Sequence, residues 1–143
     1  MAVALAEARA ALEHDDVPIG CVIARGGEVL GAAHNARERD NDPTAHGEIL
    51  ALREASRRVG SWRLEGCTVY VTLEPCTMCA GALVLARVER LVIGAMDPKA
   101  GAVGSLYNIA TEPRLNHRIE VVSGVREDEC GQILKDFFAA KRT

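Results

Sequence analysis

Apolar and polar positions along the chain follow two periods, and the switches between them mark out its elements. Met1 to Glu13 repeats apolar residues at helical spacing, with Val3, Leu5, Ala8 and Leu12 on one face, and His14-Asp15-Asp16 with Pro18 ends it. Ile19 to Ala24 is β-rich and almost wholly apolar, which suits a strand buried on both faces. Arg25-Gly26-Gly27-Glu28 is a hairpin turn signal, and Val29 to His34 returns as the partner strand. Asn35 to Asp42 is polar and reads as a loop. Asp42-Pro43-Thr44 then opens a helix, because Asp42 can cap and the missing N–H of Pro43 has no partner in a first turn. That helix carries Ile49, Leu50, Leu52 and Ala55 inward, turns Arg53, Glu54, Arg57 and Arg58 to solvent, and stops near Gly60.

Cys67 to Leu73 is a third strand, with Val69 and Val71 alternating with Thr68, Tyr70 and Thr72. Glu74-Pro75 breaks it, and a helix runs from Cys76 or Thr77 to Val88. Leu91 to Ala95 is a fourth strand, Asp97 to Gly104 a glycine-rich loop, and Ser105 to Ala110 a short turn or helix. His117 to Ser123 supplies a fifth strand. Arg126 to Lys141 is a final amphipathic helix with Ile133, Leu134, Phe137 and Phe138. One hairpin followed by strand–helix alternation predicts an α/β fold, a three-layer α/β/α sandwich around a five-stranded mixed sheet. Residues 1–143 form a single domain in this reading, with no repeat or linker.

Composition narrows the class. Aromatics make up 3% of the chain, so a core has to be aliphatic. The apolar run from Leu83 to Leu91 is interrupted by Arg87, Glu89 and Arg90, which leaves no membrane span. The first residues carry Glu7 and Arg9 and resemble neither a signal nor a transit peptide, so the expected location is cytoplasmic. A net charge of −3 gives no global sign of nucleic-acid binding and leaves a local basic surface open. Five cysteines, an odd number without a secretory signal, argue for reduced thiols with metal ligands among them.

Those ligands stand out by spacing. His46-Gly47-Glu48 precedes Pro75-Cys76-Thr77-Met78-Cys79. A catalytic zinc site keeps three protein ligands and one open position, and His46, Cys76 and Cys79 supply one such set. The two cysteines sit where a helix begins after a strand, a place that stabilises thiolates. Glu48 lies two residues beyond His46, about 200° round a helix, and is placed to face a bound water as a general base. Zinc lowers the pKa of such a water to about 7, and a Glu beside it can pass the proton to a leaving group. That suits hydrolytic loss of ammonia from an amidine-like ring carbon. Two other readings of the same residues are a redox C-x-x-C pair and a structural zinc closed by Cys67 or Cys21.

The signature H-x-E…P-C-x-x-C is that of the zinc deaminases. The chain resembles the cytidine-deaminase-like superfamily and, more closely, the bacterial tRNA adenosine deaminases. The closer resemblance rests on Asp16-Val17-Pro18-Ile19-Gly20, Asp42-Pro43-Thr44-Ala45-His46, Tyr70 to Cys76, Met78 to Ala82, Gly101 to Leu106, Leu115-Asn116-His117-Arg118 and Asp136-Phe137-Phe138. It implies one Zn2+ per subunit on His46, Cys76 and Cys79, with Glu48 as the catalytic proton shuttle. It further implies a base pocket lined by Val17, Asn35 and the Gly47 backbone, with Asp97, Lys99, Asn116 and Phe138 meeting the flanking nucleotides. The implied reaction converts the wobble adenosine of a tRNA anticodon stem-loop to inosine. The implied assembly is a homodimer through Met78 and the Ala80 to Leu85 stretch. A deaminase of a free base such as guanine or cytosine, and a catalytically silent RNA-binding module, are the competing functions. Two departures are visible. Gly47 stands where the family usually has alanine, and relatives generally begin earlier, so the first turn of the first helix is expected to be incomplete.

Overall fold

The structure, a computed structural model, describes residues 1–142. Gly20–Arg25 (β1) and Glu28–His34 (β2) pair antiparallel around Gly26-Gly27, whose φ values of 57° and 82° suit a tight hairpin turn. The other edge of β1 pairs antiparallel with Thr68–Leu73 (β3). Beyond it Arg90–Ala95 (β4) and Glu120–Val122 (β5) continue in parallel, giving the order β2-β1-β3-β4-β5. Parallel neighbours need a crossover, and Thr77–Leu85 (α4) supplies the one from β3 to β4.

Alternation along the strands sorts the helices into layers. Ile23, Val69, Val71, Leu91 and Ile93 join Ala51, Leu52 and Ala55 of Gly47–Val59 (α3), and Leu83 and Val84 of α4, in the main core. Ala2–Ala11 (α1) and Glu127–Lys141 (α5) cover the opposite face, where the sheet presents glycine at the points of contact. A Cβ at Gly20 would overlap the Ala4 carbonyl, and one at Gly94 would overlap the Cys130 sulfur. The buried apolar set among the described residues holds no aromatic side chain and consists of aliphatic residues and cysteines, while Trp62, Tyr107 and Phe138 are exposed. The expected three-layer α/β/α sandwich with a five-stranded mixed sheet is what the chain adopts.

Several local expectations are corrected. α1 buries Ala4, Leu5, Ala8 and Ala11, whereas Val3 and Leu12 are exposed, because the helix ends at Ala11 and a tighter turn over Leu12–His14 rotates Leu12 outward. The polar stretch after Asn35 contains a short helix, Arg37–Asp40 (α2). α3 starts at Gly47 rather than at Pro43. Asp42 accepts hydrogen bonds from the Thr44 N–H and hydroxyl, a local turn that leaves it no amide of α3 to cap. Within α3, Ala51 is buried and Ile49 and Leu50 only half-buried. α4 ends at Leu85, before Arg87 turns left-handed at φ 63°. The turn expected over residues 105–110 is present, with a single bridge from Asn108 to Val103, whereas β5 keeps three residues of the seven expected from His117 to Ser123.

Candidate active site

The two segments picked out by spacing meet at helix N-termini. His46 is the N-cap residue of α3 (φ −80°, ψ 150°) and Cys76 that of α4 (φ −75°, ψ 179°), while Cys79 lies one turn into α4. His46 therefore sits before the first turn of its helix, not within it. An N-cap side chain usually accepts a bond from the free amides behind it. His46 makes no such bond, and its side chain and that of Cys76 turn towards each other. His46 Nδ1 stands 3.6 Å from Cys76 Sγ and 3.4 Å from Cys79 Sγ, and the three donor atoms lie within 4.8 Å of one another. Around a tetrahedral ion with zinc-type bond lengths the nitrogen–sulfur separation would be about 3.6 Å. The donor set and its spacing fit a tetrahedral metal with one position left open.

Charge at the site is arranged around the same atoms. Donation from the Cys79 thiol and from His46, with the Cys79 backbone N–H, holds the Cys76 thiol down to about 3. Cys79 shifts the opposite way, because it shares that bond and is buried, so it keeps its proton. Glu48, 4% exposed and beside Cys79, has its carboxyl raised by burial against the pull of the His46 charge. A carboxyl raised in this way holds a proton more readily than a free one, as a group that takes and returns a proton must.

These groups open onto a cavity of about 700 Å³. Of the residues expected to bind substrate, Val17, Asn35, Gly47, Asp97, Lys99 and Phe138 line it with His46, Glu48 and Cys76. Asn116 does not; it is exposed in the segment leading to β5. Asn35 is buried, donates to the Val17 carbonyl at 3.3 Å and accepts from the Arg37 N–H at 3.3 Å. Asp97 Oδ1 accepts from the Lys99 and Ala100 N–H groups and shapes its own loop. Phe138 is 43% exposed, so it belongs to the rim and not to the core. Half-buried Leu134 lies beside it, and these two residues of the apolar stripe of α5 are cavity wall, while Ile133 and Phe137 are not.

Three cationic rim residues, Arg37, Lys135 and Arg142, were not read from the sequence as site residues. The only signal for Arg37 was its place two residues after Asn35. Gly47 has a local reason: a Cβ there would lie 3.3 Å from the Ala33 oxygen and the His34 Cα, a tight fit against β2.

The wall that carries Asn35 and Arg37 hangs on Asp16, which is 1% exposed and accepts from the Glu38 and Arg39 N–H groups at 2.7 and 3.2 Å. It caps α2 from across the chain. Asp16→Asn keeps the shape and loses the charge, and we expect a loss of about 1–2 kcal/mol in stability, read as a lower urea midpoint with metal content unchanged. An unshifted midpoint would remove Asp16 from this role.

Comparison with known proteins places this geometry. A family profile described as MafB19-like deaminase matches residues 1–142. The tRNA-specific adenosine deaminase of Bacillus subtilis is 54% identical over 139 residues, covering 97% of this chain and 86% of that protein. Its counterpart in Aquifex aeolicus is 49% identical over 140 residues, covering 98% and 92%. Among solved structures, one from a study of A-to-I editing by tRNA:A34 deaminases at the wobble position of transfer RNA superposes with a TM-score of 0.90 at 48% identity, covering 94% of this chain and 97% of that one. A guanine deaminase from Bacillus subtilis superposes less closely, with a TM-score of 0.65 at 28% identity over 98% and 90% of the two chains. The chain belongs to the MafB19-like deaminases and, among them, to the family of the tRNA-specific adenosine deaminases.

Proposed function

We propose that the protein deaminates the wobble adenosine of a tRNA anticodon stem-loop to inosine, with a zinc ion held by His46, Cys76 and Cys79. The observation that carries this reading is the 54% identity to a tRNA-specific adenosine deaminase over 97% of the chain, with the three donor atoms within 4.8 Å of one another and His46, Cys76 and Glu48 lining one cavity. A zinc ion bound there supplies Lewis acidity and a water of pKa about 7. Glu48 receives a proton from the attacking water and delivers it to the exocyclic nitrogen. Oxygen adds to the ring carbon, the C–N bond breaks and ammonia leaves. Asn35 and the Gly47 N–H hold the base, Val17 packs on its face, and Asp97, Lys99 and Phe138 meet the flanking nucleotides. Asn116, outside the cavity, meets RNA beyond the target base in this reading. Flipping the base out costs least in a single-stranded loop, which suits an anticodon.

The same reading supplies a homodimer and a cytoplasmic site of action. Exposed Trp62 and Leu85, with Ala82 and Ala86, line a shallow groove that supports a contact between copies; Ala80, Leu83 and Val84 face the core and take no part in it. No helix among the described residues is long and apolar enough to cross a membrane. The test is mass spectrometry of nucleosides after incubation with an anticodon stem-loop carrying the wobble adenosine. Inosine is expected; ammonia released from free guanine or cytosine, with none from RNA, would move the function to a small-base deaminase.

A further inference from the structure

One buried acid remains without a part in the chemistry described so far. Glu74 is 2% exposed, directly precedes Pro75-Cys76 and lies at the cavity wall. Its Oε1 accepts from the Asp97 N–H at 2.9 Å and from the Ser105 hydroxyl, and its Oε2 accepts from the Val103 and Ser105 N–H groups at 2.9 and 3.0 Å. Four donors from one loop converge on a single carboxylate. The main chain adds to this: the Glu74 N–H donates to the Ala95 carbonyl, and the Ala102 N–H to the Pro75 carbonyl, both at 2.8 Å. The loop closes so tightly over the acid that a Cβ at Gly101 would overlap the Glu74 carboxyl. The bonded segment, residues 97–105, includes Asp97 and Lys99 on the cavity wall.

We propose that Glu74 is a positioning residue, tying the loop of Asp97 and Lys99 to the strand end that carries Cys76 and so setting how RNA flanking the target base is held. It touches neither substrate nor metal ligand. A carboxylate is the acid form suited to this place because it is an acceptor only, with lone pairs for four donors. Glutamine has nearly the same shape, but its NH2 group would face at least one backbone N–H that then has no acceptor. The assignment rests on the proposed RNA substrate, since binding to flanking nucleotides is the function that the loop serves.

The experiment compares wild type with Glu74→Gln, and with Gly101→Ala alone and combined with Glu74→Ala. Three quantities are read: zinc per chain, kcat and KM for inosine formation on the anticodon stem-loop, and amide hydrogen exchange. Glu74→Gln is expected to keep zinc and to change kcat by less than about threefold. Its KM should rise about tenfold, the loss expected when charge-assisted bonds are broken in a binding wall. Amides of Asp97, Val103 and Ser105 exchange faster while those of β3 and β4 do not. Gly101→Ala reproduces the rise in KM, and adding Glu74→Ala does not restore it, because the room made for the methyl group leaves the loop donors without their acceptor. Three results overturn the assignment: unchanged KM and exchange in Glu74→Gln, a fall in kcat with unchanged KM, or loss of zinc. A wild-type protein that makes no inosine from the stem-loop overturns the proposed function and the assignment together, and is recognised because it fails before any substitution is made.

Discussion

Replacing Glu48 by alanine is expected to lower the rate of inosine formation by about 10²–10⁴-fold while leaving metal content and fold in place. The size follows from its role, since a positioned acid–base group acts on both halves of the proton transfer. The intact fold follows from its surroundings. Burial raises the Glu48 carboxyl above its ordinary range. An acid with a raised folded pKa opposes folding above its unfolded pKa, so its removal takes away a cost at neutral pH. Truncation also widens an existing cavity and seals no new void. Glu48→Gln, which keeps the shape and cannot cycle a proton, should lose as much activity as Glu48→Ala. A variant as fast as the wild type, with full metal content, would falsify the assignment of the proton shuttle.

Removing a ligand should have the larger effect on the metal. Cys76→Ser is expected to lose bound zinc and all measurable turnover, because a serine hydroxyl does not ionise where the Cys76 thiol already has. The fall in affinity should exceed the roughly 10–100-fold typical of losing an outer-shell partner. Wild-type protein stripped by a chelator should regain activity with Zn2+, and Cys76→Ser should not. Uptake should also release protons. Without a metal, the bond shared with Cys76 and burial raise Cys79, and the hydrogen bond to the Cys76 sulfur raises His46. Both must lose a proton to ligate, so zinc affinity should fall as pH is lowered. Titration calorimetry in buffers of different ionisation enthalpy measures that release; none at neutral pH would contradict the arrangement.

Periodicity made the sheet legible, because strands buried on one or both faces and a Gly-Gly turn are local signals. The His46, Cys76 and Cys79 cluster was legible for a different reason: its spacing reflects metal-binding chemistry that few other arrangements need. One error has a physical origin in a side chain that does other work than its local pattern suggests. Asp42 and Pro43 look like a helix start, yet Asp42 spends its oxygen on Thr44, and the N-cap place goes to His46. Leu134 reads as one more apolar position of an amphipathic helix, yet it lines an open wall beside Phe138. Asp16 and Glu74 were visible only as parts of motifs, because the amides they receive lie 22 to 31 residues away and sequence spacing gives no hint of them.

Those two acids have a consequence for how such a cavity can change over evolutionary time. With the Ser105 hydroxyl as the exception, every donor they hold is a main-chain amide: Glu38 and Arg39 on one wall, Asp97, Val103 and Ser105 on the other. Every residue except proline brings that amide with it. The side chains of both walls are thus largely interchangeable without loosening the frame, and proline at those five positions is the substitution that the frame resists. Selection for a new base or a new flanking sequence can act on what the walls display, while Asp16 and Glu74 keep the place where it is displayed.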